Sequence, residues 1–296
     1  MKSLFFGAGG YLGRHMIDAL RQQDGEVINP LTPDGNRLDL THSESLANID
    51  WNVDNVYMFA GVTGTGASFD NYEKFLLGNN LSLMNVLNSI RQSPARPRVI
   101  FPSTRLIYRG SDNQLPENAP QESNTLYAAN KIACEHYLHA YSNAFDIPHT
   151  ILRICVPYAN LIGREYSFGS VGYFISQANG TGRIRLYGGG AVKRTFTHVQ
   201  DLCRITLLAA EDPATVNRTY NIPGEAMSLY EAASLIAARL GASVESVDWP
   251  RFDERIESGS TLFDGTQLLN TLQTTIHHRF IDWATSIPAL PSKLPK

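Results

Sequence analysis

The chain has 296 residues, 43% hydrophobic and 18% charged, with 25 Lys+Arg against 28 Asp+Glu and a net charge of −3. At about 100–200 residues per domain, this length gives one large domain or two smaller ones, and the apolar share supplies a core that a disordered chain lacks. The even charge balance argues against electrostatic binding to nucleic acid or an anionic membrane, and no run of about 18 apolar residues predicts a membrane span.

In chain order, residues 3–6 read as a buried strand. The apolar run ends at GAGG, so MKSLFF is taken as a strand and not as a secretion signal. Residues 11–21 follow as a helix, 26–29 as a second strand, 56–60 as a third, 81–90 as a helix and 99–102 as a fourth strand. Residues 126–145 then read as a helix and 150–154 as a further strand. Strands alternating with helices predict an α/β chain whose parallel strands are joined by right-handed crossovers, a doubly wound parallel sheet. Beyond about residue 155 the segments shorten and glycine becomes frequent (Gly163, Gly169, Gly172, Gly180, Gly182, Gly188 to Gly190). Two helices are expected there: 201–211, capped by Asp201, and 229–240, capped by Ser228 and stopped at Gly241. The expected organisation is a nucleotide-binding domain over 1–155, to which segments around 195–222 return, and a smaller C-terminal α/β lobe, mainly substrate-binding, over 156–296. The Pro-rich stretch PALPSKLPK is expected to be extended. Cys134, Cys155 and Cys203 are odd in number and widely spaced, which gives neither a disulfide framework nor a zinc motif and points to a reducing, cytoplasmic setting.

Gly7, Gly10 and Gly13 sit between the first strand and the first helix. A dinucleotide needs this arrangement: glycine allows a tight turn and close backbone approach to the pyrophosphate, and the helix N-terminus offers free N–H groups and a positive dipole end. An acid that accepts the adenine-ribose 2′-hydroxyl is expected about 20 residues on, at the end of the second strand. That stretch is Val27-Ile28-Asn29-Pro30-Leu31, with no carboxylate, so a 2′-phosphate is tolerated and Arg14 could pair with it. Both NAD and NADP therefore stay open.

Tyr127 and Lys131 lie four apart on a predicted helix, hence on one face. An ammonium there favours the phenolate and lowers the tyrosine pKa, so the phenol can trade protons with an alcohol or ketone. Thr104 follows the fourth strand, at the carboxyl edge where ligands bind in open α/β sheets, and its hydroxyl could bond the reacting oxygen.

Gly7-x-x-Gly10-x-x-Gly13, Ser103-Thr104-x-x-x-Tyr108 and Tyr127-x-x-x-Lys131 together resemble the extended short-chain dehydrogenase/reductase superfamily, in its nucleotide-sugar epimerase, dehydratase and ketoreductase branch. The likeness runs from residue 2 to about 240 and implies a Rossmann-type fold. It implies Tyr127 as general acid/base, Lys131 as the group that lowers its pKa and holds the nicotinamide ribose, and Thr104 on the reacting oxygen. It implies a cofactor site of Gly7, Gly10, Tyr11, Leu12, Gly13, Arg14, Asp39, Leu40, Ala60, Gly61, Ser103, Tyr127, Lys131 and Pro157, with Asn79 or Asn80. Arg194, within Arg194-x-Phe196-x-His198-Val199-x-Asp201, would hold the substrate phosphates, with Tyr158 and Thr104 also on the substrate.

Two positions depart from the family pattern. Val156 stands where many relatives carry a substrate-touching Asn, and the dehydratases' glutamate is missing beside Thr104, where Arg105 stands. Without a second acid, dehydration ranks low. His136 and His139 are spaced three apart but have no third ligand, so no metal is expected and a solvated face is the simpler reading. Tyr137, Tyr141 and Phe145 read as packing, His277 and His278 are unassigned, and His198 fits either a core or a substrate-proximal role.

The leading expectation is NADPH-dependent reduction of a 4-keto sugar on a nucleoside diphosphate. The alternative is an NAD-dependent nucleotide-sugar 4-epimerase, which would use the same three side chains. A non-catalytic dinucleotide sensor ranks below both, since such proteins usually lose the Tyr or the Lys. The resemblance also implies a homodimer formed through the helices 81–90 and 126–145.

Overall fold

The computed structural model describes residues 1–23, 25–32, 35–163 and 167–288. The Pro-rich end therefore lies outside the described residues from 289 on. The chain opens with β1 (Lys2–Phe6), α1 (Tyr11–Gln22), β2 (Glu26–Ile28) and β3 (Asn55–Met58). Two short helices, α2 (Ala67–Asp70) and α3 (Tyr72–Phe75), lead through a π-helical turn (Leu76–Leu81) into α4 (Ser82–Gln92). Then come β4 (Arg98–Thr104), β5 (Ser111–Leu115), α5 (Leu126–Phe145), β6 (His149–Ile154) and β7 (Val156–Tyr158).

Strands β1, β3, β4 and β6 read as apolar runs because helices cover both faces of their sheet, as a parallel sheet requires. On α1, buried His15, Met16, Ile17 and Leu20 form one stripe against the sheet. On the other face, Leu83, Val86, Leu87 and Ile90 of α4 pack with Cys134 and Leu138 of α5. Partly buried Tyr137, Tyr141 and Phe145 join that cluster, so they are packing residues as expected.

After β7 follow α6 (Gly169–Thr181), β8 (Arg183–Tyr187), β9 (Lys193–His198), α7 (Val199–Glu211), β10 (Arg218–Asn221), β11 (Glu225–Ser228) and α8 (Leu229–Leu240). The described chain ends with β12 (Ser243–Val247), α9 (Arg251–Ile256), β13 (Thr261–Phe263), α10 (Thr266–Leu272) and α11 (Phe280–Ser286). The six-stranded parallel sheet has the order β10-β6-β4-β3-β1-β2. Strand order reverses between β1 and β3, and the crevice above their carboxyl ends is where an open α/β sheet takes its ligand. A second sheet runs β11-β9-β13-β5, with β7 on β9, and β12 pairs with β8. One residue, Cys155, separates β6 from β7, so the chain crosses between sheets directly beneath the crevice; α7 and β10 carry it back.

Helix α8 starts at its expected cap: Ser228 Oγ accepts the Glu231 N–H at 3.1 Å, Glu231 Oε2 accepts the Ser228 N–H at 2.7 Å, and Gly241 closes the helix left-handed. Helix α7 differs. Its cap is His198, whose Nδ1 accepts from Gln200 N–H at 3.2 Å. Asp201 instead accepts the N–H groups of His277 (2.9 Å) and His278 (2.8 Å) and pairs with Arg204, so a long-range strap claims the carboxylate that was expected to cap. His139 also departs from a solvated face: it meets His149 of β6 at 3.2 Å, while His136 is exposed. His198 is a buried core residue with its ring stacked on His278 at 4.2 Å.

Candidate active site

The glycine loop forms where β1 meets α1. Gly7 has φ +96°, in the left-handed region, and a Cβ there would lie 2.3 Å from Ala60 N. A Cβ on Gly13 would lie 2.1 Å from Gly7 O, so glycine at 13 lets the helix close on the loop. Two cavities meet along this loop. One, of about 340 Å³, is lined by residues 6–10, Asn29, Pro30, Arg37, Leu38, Leu40 and 59–61. The other, of about 480 Å³, is lined by Gly10, Tyr11, Leu12, Gly13, residues 59–65, Asn79, 102–106, Tyr127, Lys131, 154–157 and 168–170. They share Gly10, Phe59, Ala60 and Gly61 and form one continuous groove.

Thr125 caps α5, accepting the Ala128 N–H at 3.1 Å, and this puts Tyr127 in the first turn and Lys131 one turn on. Thr104 ends β4, where its Oγ1 accepts the Leu106 N–H at 3.3 Å. Thr104, Tyr127 and Lys131 are 7%, 8% and 7% exposed and line the same wall of the groove. Lys131 Nζ donates to Pro102 O at 2.8 Å and lies 4.3 Å from the centre of the Phe101 ring. Burial pushes the Tyr127 phenol up to about 12, with the Thr104 hydroxyl pulling it back. The lowering expected from Lys131 is not what this structure shows, because the ammonium is turned to the Pro102 carbonyl. Burial lowers the Lys131 pKa, against the raising influence of Cys134 and Glu135.

Below this wall sits a buried network. Glu135, one turn beyond Lys131, takes a two-pronged bond from Arg153 of β6 (Nε–Oε1 3.1 Å, Nη2–Oε2 2.7 Å) and a hydrogen bond from Ser103 Oγ. Arg153 Nη1 also donates to Tyr108 Oη and to Glu117 O, both at 2.6 Å, and Tyr108 donates to Asn221 at 2.8 Å. The network ties α5, β4, β6 and β10 together under the reactive side chains. The sequence reading sets Glu135 aside with His136 and His139 as turned away from Tyr127, but its place four residues after Lys131 and eight after Tyr127 puts it on their face.

Most of the expected cofactor residues line the groove: Gly7 and Leu40 in the smaller cavity, Tyr11, Leu12, Gly13, Ser103 and Pro157 in the larger, and Gly10, Ala60 and Gly61 in both. Tyr11 is locked in place by a 2.5 Å hydrogen bond to Ala159 O and by stacking on Phe168. Of the two asparagines, Asn79 lines the groove and clasps the Val62 backbone in both directions (2.8 and 3.0 Å). Asn80 is buried against Asn130 O at 3.4 Å, since the π-helical turn sets which side chain faces the loop. Arg14 is exposed on α1 and Asp39 is bonded to Thr41 at 2.7 Å; neither lines the groove.

Arg194 and Tyr158 also lie off the groove, a correction to the expected substrate set. Arg194 is 2% exposed and committed to Glu257 (2.6 Å) and to Gly259 O (2.6 Å). Tyr158 is fully buried among His198, Phe280 and Trp283. The cation that does line the groove beside Thr104 is Arg105, whose Nη1 donates to Ser258 Oγ at 3.2 Å; burial and the Arg194 guanidinium push its pKa down. Val62, Thr63 and Thr65 of the loop after β3 also reach the groove, without a sequence motif to announce them. No group of three or more metal-binding side chains occurs among the described residues, and none of their helices is long and apolar enough to cross a membrane.

The glycine cradle, the Tyr-Lys pair and the threonine at the strand end converge on one groove. The family model described as NAD dependent epimerase/dehydratase matches residues 4–223. The chain belongs to that family. The family's members are enzymes, and its description, a nicotinamide coenzyme included, agrees with the glycine cradle. A Bacillus subtilis protein described as an uncharacterized UDP-glucose epimerase is 24% identical over 261 residues, covering 80% of this chain and 81% of its own. The UDP-glucose 4-epimerase of Mycolicibacterium smegmatis is 26% identical over 269 residues, covering 83% and 84%. Among solved structures, the UDP-glucuronic acid 4-epimerase of Bacillus cereus, in complex with UDP-glucuronic acid and NAD, superposes with TM-score 0.79 at 21% identity over 96% of both chains. That last likeness speaks to the fold.

Proposed function

We propose that the protein moves hydride at C4 of a nucleoside-diphosphate sugar, with Tyr127 exchanging the proton on the C4 oxygen. The observation that carries this reading is the convergence of Thr104, Tyr127 and Lys131 on the wall of a groove that continues into a glycine cradle. The cradle fits a dinucleotide, because glycine at 7 and 13 lets the loop turn against the end of β3 and the α1 N-terminus close on it, where a Cβ at either would strike backbone. A bound nicotinamide dinucleotide supplies hydride acceptance or donation there. Gly7, Gly10 and the α1 N-terminus hold its pyrophosphate, and Lys131 and Tyr127 face its reactive end. Tyr127 as the phenol gives its proton to the developing alkoxide when C4 is reduced, and as the phenolate takes the proton from the C4 hydroxyl when C4 is oxidised. Thr104 gives the same oxygen a second hydrogen bond. Arg105 takes over the anion-binding task expected of Arg194, since Arg194 is bound to Glu257.

Two net reactions use this chemistry. The relatives named above favour 4-epimerisation, in which C4 is oxidised and then reduced from its other face. Reduction of a 4-keto sugar is favoured by the end of β2, where Asn29 replaces the ribose-binding acid. Dehydration ranks below both, since no Asp or Glu lines the groove among the described residues. The test is to purify the protein without added coenzyme, denature it, and identify any released dinucleotide by mass spectrometry. Near-stoichiometric NAD or NADH supports the epimerase, whose cycle regenerates its coenzyme. An empty site, together with 4-keto sugar-dependent oxidation of NADPH, supports the reductase. Neither C4 inversion nor keto reduction on a panel of UDP-, dTDP-, GDP- and CDP-sugars would overturn the proposal.

A further inference from the structure

We infer that the adenosine end of the groove is built to take a 2′-phosphate, with Arg37 as the residue that selects NADP(H) over NAD(H). The inference rests on the coenzyme reading above and goes beyond it by naming the coenzyme.

The ribose 2′-position of a bound dinucleotide falls between the glycine loop and the end of the second strand, where an acid selects NAD and an arginine admits NADP. In this chain the cavity at that place holds Asn29, Pro30 and Arg37, and no carboxylate lines it among the described residues. The chain brings Arg37 there by a short excursion after β2. Leu31 and Arg37 pair as an antiparallel bridge, and Thr32 and Asn36 close the turn (Thr32 N–H to Asn36 O 2.8 Å; Asn36 N–H to Thr32 Oγ1 3.0 Å). The guanidinium ends against Gly9: a Cβ on Gly9 would sit 2.1 Å from Nη2, 2.5 Å from Cζ and 2.8 Å from Nη1.

This accounts for a glycine that the fingerprint leaves unexplained. Gly7, Gly10 and Gly13 make the turn and the close helix packing, while Gly9 is surplus to that pattern. Its missing side chain is the space the Arg37 guanidinium occupies. Arg37 forms no ion pair among the described residues, and the nearest acid in sequence, Asp39, is bonded to Thr41 with His42 3.8 Å away. An exposed guanidinium with five donors, seated at the ribose edge, fits a phosphate dianion. Arg14, the residue that sequence position suggests for this task, does not line the cavity.

The probes are 2′,5′-ADP and 5′-ADP, titrated into the full chain by calorimetry, with NADPH and NADH fluorescence as a second readout. The expected result is about tenfold tighter binding of 2′,5′-ADP. Arg37→Ala removes that preference and leaves 5′-ADP binding within twofold, and Arg37→Lys keeps part of it. Asn29→Asp inverts the preference, since a carboxylate accepts the 2′-hydroxyl and repels the phosphate. Both positions are at the surface, and unchanged thermal melting confirms that the variants fold. Equal affinity for the two probes overturns the inference and leaves the coenzyme reading intact. Binding of neither probe, and of neither coenzyme, overturns both.

Discussion

The two ends of the groove are held by different physics. At the reactive end, Tyr127 and Lys131 project from a twenty-residue helix whose buried face carries Glu135, locked to Arg153, Ser103 and, through Arg153, Tyr108. At the adenosine end, the lining is the glycine loop, apolar side chains, Asn29 and one exposed arginine brought in by a surface turn. A reactive group must be held to a fraction of an ångström, and only a core can do that. A coenzyme's 2′-substituent can be chosen by one or two exposed side chains that the fold does not need. On the proposed function, the reaction is embedded in the sheet and the coenzyme choice rests on its surface.

Breaking the reactive end should have the largest effects. Tyr127→Phe removes the exchanging proton and keeps the ring that packs edge-on with Phe75. We expect kcat to fall by about 10²–10⁴, with coenzyme binding and thermal melting unchanged. Retained activity in this variant would remove Tyr127 from the mechanism. Glu135→Ala should act through stability first. It leaves the 5%-exposed Arg153 side chain buried without its counter-charge, a loss of about 3–5 kcal/mol in chemical denaturation. Glu135→Gln keeps a hydrogen-bond acceptor for Ser103 and should lose less. If both variants denature like the parent, the network beneath the site is not what holds it.

The same contrast decides how much could be read from sequence. Strand β1, the glycine loop, α5 and α8 were legible because their signals are local: an apolar run, glycines at fixed spacing, and caps within one turn. Tyr127, Lys131 and Thr104 were legible for the same reason, through their spacing and their place at a strand end. What escaped depended on partners far along the chain. Arg194 looks free for a phosphate until Glu257, 63 residues on, is seen to bind it. Asp201 looks like a cap until His277 and His278 arrive 76 and 77 residues later. The choice between Asn79 and Asn80 turned on a single π-helical turn, which no periodicity announces. The short strands of the second sheet carry little pattern and were not foreseen.

Acid should act next, through two histidines that lie off the groove. His149, on β6 with Arg153, and His198, at the end of β9, are both pushed down to about 4 by burial, each with a neighbouring imidazole adding to the shift. The folded protein therefore holds them neutral. The stability this contributes is fully present above the unfolded value near 6.5 and is lost as pH falls through 4, on the order of 3 kcal/mol for each histidine. Denaturant midpoints should fall from pH 6.5 to pH 4, and His149→Gln should lose part of that dependence. An unaltered acid profile in this variant would assign the loss elsewhere.

The smallest effect belongs to the adenosine end, at Gly9. Alanine there puts a methyl group where the Arg37 guanidinium lies, but the obstacle is the tip of a flexible side chain. The guanidinium can swing away, so Gly9→Ala should fold and melt like the parent. Binding of 5′-ADP should hold, because the pyrophosphate cradle is made by Gly7, Gly10 and Gly13. Only the grip on a 2′-phosphate should slacken, by about threefold to tenfold, as the donors leave the ribose edge. The double variant Gly9→Ala, Arg37→Ala sharpens this: if Gly9 acts solely by making room for Arg37, the second substitution adds no loss beyond that of Arg37→Ala alone. Additive losses would mean that the glycine touches the coenzyme itself, and the adenosine end would then be as finely fitted as the reactive one.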